Sequence, residues 1–238
     1  MMNYPYGGTI RGHAHTWDQL VFAAAGTITV QTEQGRWVVP SHRALWVPAR
    51  VEHKISMRGA VALRSLYFGP GRVRALPRRC CVVQVSPLLR ELIAFVAEHP
   101  SIDETRADHR RLIGVVLDRL AHVDQEPLAL PWPRDDRASK AATAIEADPG
   151  DARSLVAVAS SVGASKRTLE RIFVDQTGMT FGRWRQQARL LRGLAELASG
   201  RSVSEVAAVV GYASPSAFVA MFKDALGTTP GRYFERRG

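Results

Sequence analysis

Two segments in the C-terminal half of the chain are variants of one pattern, and this duplication restricts the fold more tightly than any other feature. The first, VASSVGASKRTLERIFVDQTGMTFGRW, begins at Val158; the second, VAAVVGYASPSAFVAMFKDALGTTPGRY, begins at Val206. Val158, Ala159 and Gly163 recur 48 positions later as Val206, Ala207 and Gly211. Phe173, Gly178, Gly182 and Trp184 recur 49 positions later as Phe222, Gly227, Gly231 and Tyr233, so one extra residue falls in the second turn. Each copy reads as an alanine-rich helix, a tight reversal at glycine, and a second helix capped by Ser165 or Ser214. The apolar face of that second helix is Leu169, Ile172 and Phe173 in one copy, and Phe218 and Phe222 in the other. This is helix-turn-helix construction, in which the second helix enters the DNA major groove.

Phe181 to Ala198 reads as one helix joining the two copies and ending at Gly200, with Trp184, Ala188, Leu191 and Ala195 on one side. Eighteen residues make a helix roughly 27 Å long. That length suits two recognition helices held about one DNA turn apart. A helical bundle with duplicated packing is the competing reading, and charge argues against it. The chain carries a formal charge of +10. Between Arg153 and Arg192 eight basic residues face only Glu170 and Asp175, leaving +6 in that stretch, as a phosphate-binding face requires.

The N-terminal part has a different period. QLVFAAAGTITVQTEQGRWVVP, ALWV, VALRSLYF and CCVVQV are rich in Val, Ile, Thr and aromatic residues, with a turn signal around Gln34 and Gly35. Short strands without intervening helices predict a small antiparallel barrel or sandwich. Ser86 followed by Pro87 then opens a helix carrying Leu88, Leu89, Leu92, Ile93 and Val96. A second helix is expected from the capping-box pattern at Ser101–Glu104, with Ile113, Val116, Leu117 and Leu120 as its stripe. The two helices either cover the barrel or form a dimer contact. QEPLALPWPRDD, with Pro127, Pro131 and Pro133, cannot continue a helix and reads as a linker.

The expected fold is therefore multidomain α+β. Residues 1–123 form an antiparallel β-barrel with two following helices, 124–133 a Pro-rich linker, and 134–238 an all-α domain of two tandem helix-turn-helix units. Hydrophobic residues make up 46% of the chain and charged ones 23%, an ordinary globular balance. No apolar run reaches the roughly 20 residues of a membrane span. The start lacks an apolar signal-peptide core, so a cytoplasmic location is expected. Cys80 and Cys81 are adjacent, which suggests neither a disulfide framework nor a CxxC metal site.

From Arg134 to the end, the chain resembles the AraC family of transcription regulators. The run Val206, Gly211-Tyr212, Ser214, Phe218, Phe222-Lys223, Gly227 and Pro230 carries that resemblance. It implies a reader of double-stranded operator DNA behind an effector-sensing or dimerising N-terminal domain, and a homodimer.

In the first recognition helix, Arg167 and Arg171 are four apart on an exposed face, placed to bond guanine O6 and N7. Lys166 and Thr168 are expected at phosphates. Glu170 either accepts from cytosine N4 or pairs with Arg167. The second recognition helix has less to donate. Ala220 stands where many family members are basic, so Ser214, Ser216 and Lys223 are expected to position the protein, with Ala217 and Ala220 near thymine methyls.

Gly8, His13-Ala14-His15, Gln19 and Gly26 resemble the first motif of cupin barrels, and Pro48 to His53 the second. On a strand, His13, His15 and Gln19 share a parity and hence a face, with His53 opposite. Imidazole suits Ni, Zn, Fe or Cu. Gln19 stands where metal-binding cupins have glutamate, and Arg50 where glycine is common. A metal site, a metal-free pocket for a small-molecule effector, and ordinary structural histidines all remain open. His42, His99, His109 and His122 share no face with the set, and Trp37 and Trp46 read as core. Two rival functions follow: a metal-dependent cupin enzyme with an appended basic helical domain, and a constitutive architectural DNA binder.

Overall fold

The computed structural model describes residues 2–41, 43–99 and 102–235. His42 and Ser101 lie outside the described residues. The chain divides into two compact units, the first running through Thr32 and from Trp37 to Ala129, the second comprising Glu33–Arg36 and the chain from Leu130 onward.

The strands are β1 (Met2–Tyr4), β2 (Gly8–His13), β3 (Asp18–Thr32), β4 (Gly35–Pro40), β5 (Arg43–Val47), β6 (His53–Phe68) and β7 (Cys81–Gln84), with β8 (Gln125–Glu126) and β9 (Ala129–Pro131) further on. They form one sheet in the order β1-β6-β3-β5-β7-β8, with β2 on β6 and β4 on β3. The sequence suggests only short strands, but β3 has 15 residues and β6 has 16. These two pair antiparallel along most of their length, from Asp18↔Phe68 to Thr32↔His53. The register shifts between Ala23 and Thr27, a bulge that bends β3 in mid-course. The segment expected as a linker carries β8 and β9, because proline is barred from helix interiors but tolerated in short edge strands.

Helix α1 (Pro87–Glu98) starts as the sequence predicts, with the Ser86 side chain accepting from Leu89 N. Helix α2 (Ala107–Ala121) begins later than the Ser101 pattern suggested. Glu104, the acid of that pattern, pairs with Arg72 instead, and Asp103 closes a turn by accepting from Thr105 N and Oγ1. Leu89, Ile93, Val116 and Leu120 join Leu20, Phe22, Trp46, Leu66, Phe68 and Val83 in one buried cluster. The helices therefore cover the sheet through these four side chains, while Leu88 of the expected stripe stays exposed. Trp37 and Trp46 are buried, as core residues should be.

The second unit holds α3 (Asp136–Ala147), α4 (Leu155–Ser161), α5 (Lys166–Thr177), α6 (Phe181–Ala198), α7 (Val203–Val209), α8 (Pro215–Leu226) and α9 (Pro230–Glu235). The sequence repeat recurs as a geometric one. Ser165 accepts from Thr168 N and Ser214 from Ala217 N; Gly178 and Gly227 close α5 and α8 in the left-handed region. The Phe173–Trp184 pair meets edge-on with ring centroids 5.3 Å apart, and the equivalent Phe222–Tyr233 pair does so at 5.5 Å. Each edge-on pair contributes about 0.5–1.5 kcal/mol beyond its buried area. That contribution is why an aromatic recurs at both positions of the motif.

Candidate nucleic-acid interface and histidine site

Helix α5 buries Leu169, Ile172 and Phe173 and exposes Lys166, Arg167 and Arg171. A helix turns 100° per residue, so this split gives one apolar side and one cationic side. Arg171 forms an ion pair with Asp175 at 3.5 Å, both exposed. Such a pair is worth at most about 1 kcal/mol, and a base or phosphate readily replaces it. The Thr168 hydroxyl lies 2.9 Å from Ser165 Oγ and so takes part in the cap. Glu170 Oε2 is shielded from solvent and has no hydrogen-bond partner among the described residues.

Helix α8 buries Phe218, Met221 and Phe222. Ser216, Ala217, Ala220 and Lys223 are exposed, whereas Ser214 is half-buried with its hydroxyl on Ala217 N at 3.2 Å. The outward face of this helix is thus small and nearly apolar, with one cation in its last turn.

The eight basic residues between Arg153 and Arg192 are not all one phosphate face. Arg153 pairs with Asp151 at 2.7 Å and Arg192 with Glu196 at 2.5 Å. Arg185 donates to Arg153 O and Arg189 to Pro149 O, each at 2.8 Å. Arg185 and Arg189 thus tie α6 to the α3–α4 connection, whereas the pairs of Arg153, itself exposed, and Arg192 are local. Lys166, Arg167, Arg171 and Arg183 stand on the surface.

In the first unit, His13, His15 and His53 each bring one ring nitrogen within 4.8 Å of the others. The convergence has a different origin from strand parity. Strand β2 ends at His13, His15 lies in the following loop, and Gln19 is already on β3. His53, first residue of β6, is the register partner of His13, which places their ring centroids 4.4 Å apart. The loop then turns His15 back to 5.2 Å from the His53 ring.

Each Nδ1 is bonded to a main-chain carbonyl: His13 to Arg11 O at 2.9 Å, His15 to Trp17 O at 2.7 Å and His53 to Val51 O at 2.9 Å. Carbonyls only accept, so Nδ1 of each ring donates, which leaves an Nε2 lone pair on neutral His13 and His53; His15 Nε2 instead faces Gln19 Oε1, a second acceptor. His53 is 1% exposed, and its Nε2 has no partner among the described residues. Burial is the main reason its pKa lies below the ordinary histidine value; the bond to Val51 opposes this, and His13 and His15 add to it. The lowered pKa favours the neutral ring, the form that ligates.

Gln19 is 2% exposed and fixed on both sides. Its Oε1 lies 2.9 Å from His15 Nε2, and its Nε2 donates to the Ser65 and Tyr67 hydroxyls, each at 3.1 Å. Ser65 and Tyr67 are absent from the sequence-derived set. Tyr67 is the register partner of Gln19 across β3 and β6, and that register is not readable without the bulge. Arg50 has φ 65°, a left-handed backbone at the position where glycine is common in cupins, and its N–H donates to His15 O at 2.7 Å. No helix among the described residues is long and apolar enough to cross a membrane.

Comparison with known proteins gives two family matches. Residues 3–125 match an AraC-like ligand binding domain and residues 158–236 a helix-turn-helix domain. The chain is similar to the HTH-type transcriptional regulator NimR of Escherichia coli (strain K12), 37% identical over 224 residues, which are 94% of this chain and 82% of NimR. It is also similar to the HTH-type transcriptional regulator RipA of Corynebacterium glutamicum, 38% identical over 104 residues, 44% of this chain and 31% of RipA. Among solved structures, ToxT from Vibrio cholerae aligns at 10% identity and a TM-score of 0.44, covering 99% of this chain and 97% of ToxT. With a ligand-binding match over half of its length and a regulator 37% identical along nearly all of it, this chain belongs to the AraC family of transcriptional regulators, with an N-terminal ligand-binding domain and a C-terminal helix-turn-helix DNA-binding domain.

Proposed function

We propose that residues 1–123 sense an effector at His13, His15 and His53, that 124–133 connect, and that 134–238 read an operator on double-stranded DNA. The observation that carries the sensing half is the set of three convergent imidazoles, each with Nδ1 committed to a carbonyl. Nε2 lone pairs on His13 and His53, the latter buried and without a partner among the described residues, converge with the His15 ring and suit an electrophile. A divalent transition ion (Ni, Zn, Fe or Cu) fits this donor chemistry, and carbonyl-bonded Nδ1–H groups are the usual outer support of histidine ligands. An ion held there supplies fixed positive charge at the junction of β2, β3 and β6. Gln19, held by Ser65 and Tyr67, then contributes a neutral amide beside that charge. A small-molecule effector seated on the same imidazoles is the second reading, favoured by the absence of a carboxylate at position 19.

Glutamine at position 19 also weighs against a metal-dependent cupin enzyme, since it leaves the 2-His-1-carboxylate ligand set incomplete. With relatives named as regulators, the chain acts as a regulator and not as an enzyme; turnover abolished by His15→Ala would reverse this. A cytoplasmic location follows from that role. A homodimer is part of the proposal, with Leu88 and Phe95 on α1 and Val115 on α2 as exposed apolar side chains. A monomer in sedimentation at micromolar concentration would remove it.

On DNA, Arg167 and Arg171 read bases from α5, with Glu170 at a cytosine amine or beside Arg167 and with Lys166 and Thr168 at phosphates. Ser214, Ser216 and Lys223 hold phosphates, with Ala217 and Ala220 against thymine methyls. Arg167→Ala is expected to cost about 1–3 kcal/mol on the matched site and little on mismatched ones, because a bidentate guanine contact is lost. Lys223→Ala should weaken binding to all sequences alike and lower the salt slope by about one. Equal losses on matched and mismatched DNA for Arg167→Ala would take it out of the base-reading set. The regulatory half is tested by operator affinity with and without each of the four ions. A change of tenfold or more for one ion is expected, about 1.4 kcal/mol of coupling. Affinity indifferent to all four leaves the small-molecule reading.

A further inference from the structure

The second unit contains a joint built from three separate parts of the chain. Residues 148–154, which join α3 to α4, turn their carbonyls toward α6. Arg189 Nε donates to Pro149 O at 2.8 Å and its Nη2 to Asp151 O at 3.4 Å. One helical turn earlier, Arg185 Nη1 donates to Arg153 O at 2.8 Å. The Arg189 guanidinium also lies over the ring of Tyr212, 5.5 Å from its centroid, at the turn between α7 and α8. On that same turn Gly211 abuts Gly150, so closely that a Cβ on Gly211 would stand 2.7 Å from Gly150 Cα. The entry to the first helix-turn-helix unit and the turn of the second are thus in contact. One side chain, rooted in the helix between them, touches both.

We propose that Arg189 is a positioning residue for two-site DNA reading, fixing the offset between α5 and α8 so that both reach DNA together. The inference rests on the reading above in which both units contact DNA. When two contacts are rigidly linked, the second forms as an intramolecular event and adds its energy without further ordering cost. A guanidinium suits the task because its planar fork reaches two carbonyls at once while stacking on an aromatic face. If the joint loosens, each unit still binds, but the advantage of binding jointly is lost. Arg189 itself touches no base in this arrangement; it acts through where it places α5 and α8.

The test compares two duplexes with the full chain. The first is obtained from a random pool by selection with the wild-type protein. The second is cut back to the segment whose protection depends on Arg167. For the wild type the full duplex should bind at least about a hundredfold tighter than the shortened one. Arg189→Ala should reduce that ratio about tenfold while leaving affinity for the shortened duplex unchanged. Arg189→Lys, which keeps the charge and one donor, should fall between. Any unfolded fraction cancels, because both affinities come from one preparation. An unchanged ratio, or equal losses on both duplexes, would overturn the positioning role. A wild-type ratio near one would overturn it differently, by showing that only one unit binds.

Discussion

Gly211→Ala is expected to lower the thermal midpoint of the helical unit by about 10 °C or more and to abolish operator binding at the unfolding temperature of the variant. The equivalent change Gly163→Ala should cost no more than about half as much. Both glycines close the turn of a helix-turn-helix unit and both have positive φ, 68° at Gly163 and 78° at Gly211. An alanine forced into the left-handed region costs roughly 1–2 kcal/mol at either position. Surroundings separate the two. A Cβ at Gly163 meets nothing within 4 Å, whereas at Gly211 it meets Gly150 Cα at 2.7 Å and Gly150 O at 2.9 Å. Backbone cannot swing aside as a side-chain tip can, so overpacking adds a further 1–3 kcal/mol or so. For a domain of this size each kcal/mol moves the midpoint by about 4–8 °C. Calorimetry of the two variants checks this directly. Equal shifts would mean that the Gly150–Gly211 contact carries no strain.

His13→Ala/His15→Ala is expected to empty the histidine site. Elemental mass spectrometry of untagged wild-type protein, incubated with Ni, Zn, Fe and Cu, should find close to one ion per chain, and the double variant close to none. With free ion at a hundred times its Kd, the wild type should gain about 2.7 kcal/mol, a rise of about 10 °C in the midpoint of the N-terminal unit. The double variant should not respond. His53→Ala should lose the ion as well, since His53 carries the buried unpaired nitrogen. Absence of metal from the wild type under all four ions would leave a metal-free pocket. It would also return the Nε2 lone pairs to whatever donors an organic effector brings.

What could be read in advance differs sharply between the two halves. In the helical unit nearly every local decision is encoded within a few residues. Ser165 and Ser214 cap α5 and α8, Gly178 and Gly227 end them, and α6 spans Phe181–Ala198 as its spacing implies. Helices are closed by neighbours in sequence, and duplication shows the same solution twice. Charge was less transparent. Arg153, Arg185, Arg189 and Arg192 count toward a basic stretch, yet each is tied to a carboxylate or carbonyl. Sequence gives the sign of a charge and not its partner.

In the sheet the essential partners are distant. His13 and His53 are recognisable as candidates, but their meeting depends on the β2–β6 register, and Gln19 meets Tyr67 only through the β3–β6 register. A strand slipped by one residue turns every side chain to the other face, so pairing and bulges, which are tertiary matters, decide the site. The helices α1 and α2 show the same limit. Their apolar stripes were evident, but whether those stripes met a sheet or a second chain was settled only by the cluster that buries Leu89, Ile93, Val116 and Leu120. The sequence by itself determined the tandem helix-turn-helix units, their caps and the cationic side of α5, because those depend on contacts within one or two helical turns. The tertiary structure alone decided which arginines remain outward, how three imidazoles converge, and that Gly150 meets Gly211. The Arg185 and Arg189 contacts, the His13–His53 pairing and the Gly150–Gly211 approach each join residues 32 or more positions apart, which only packing brings together.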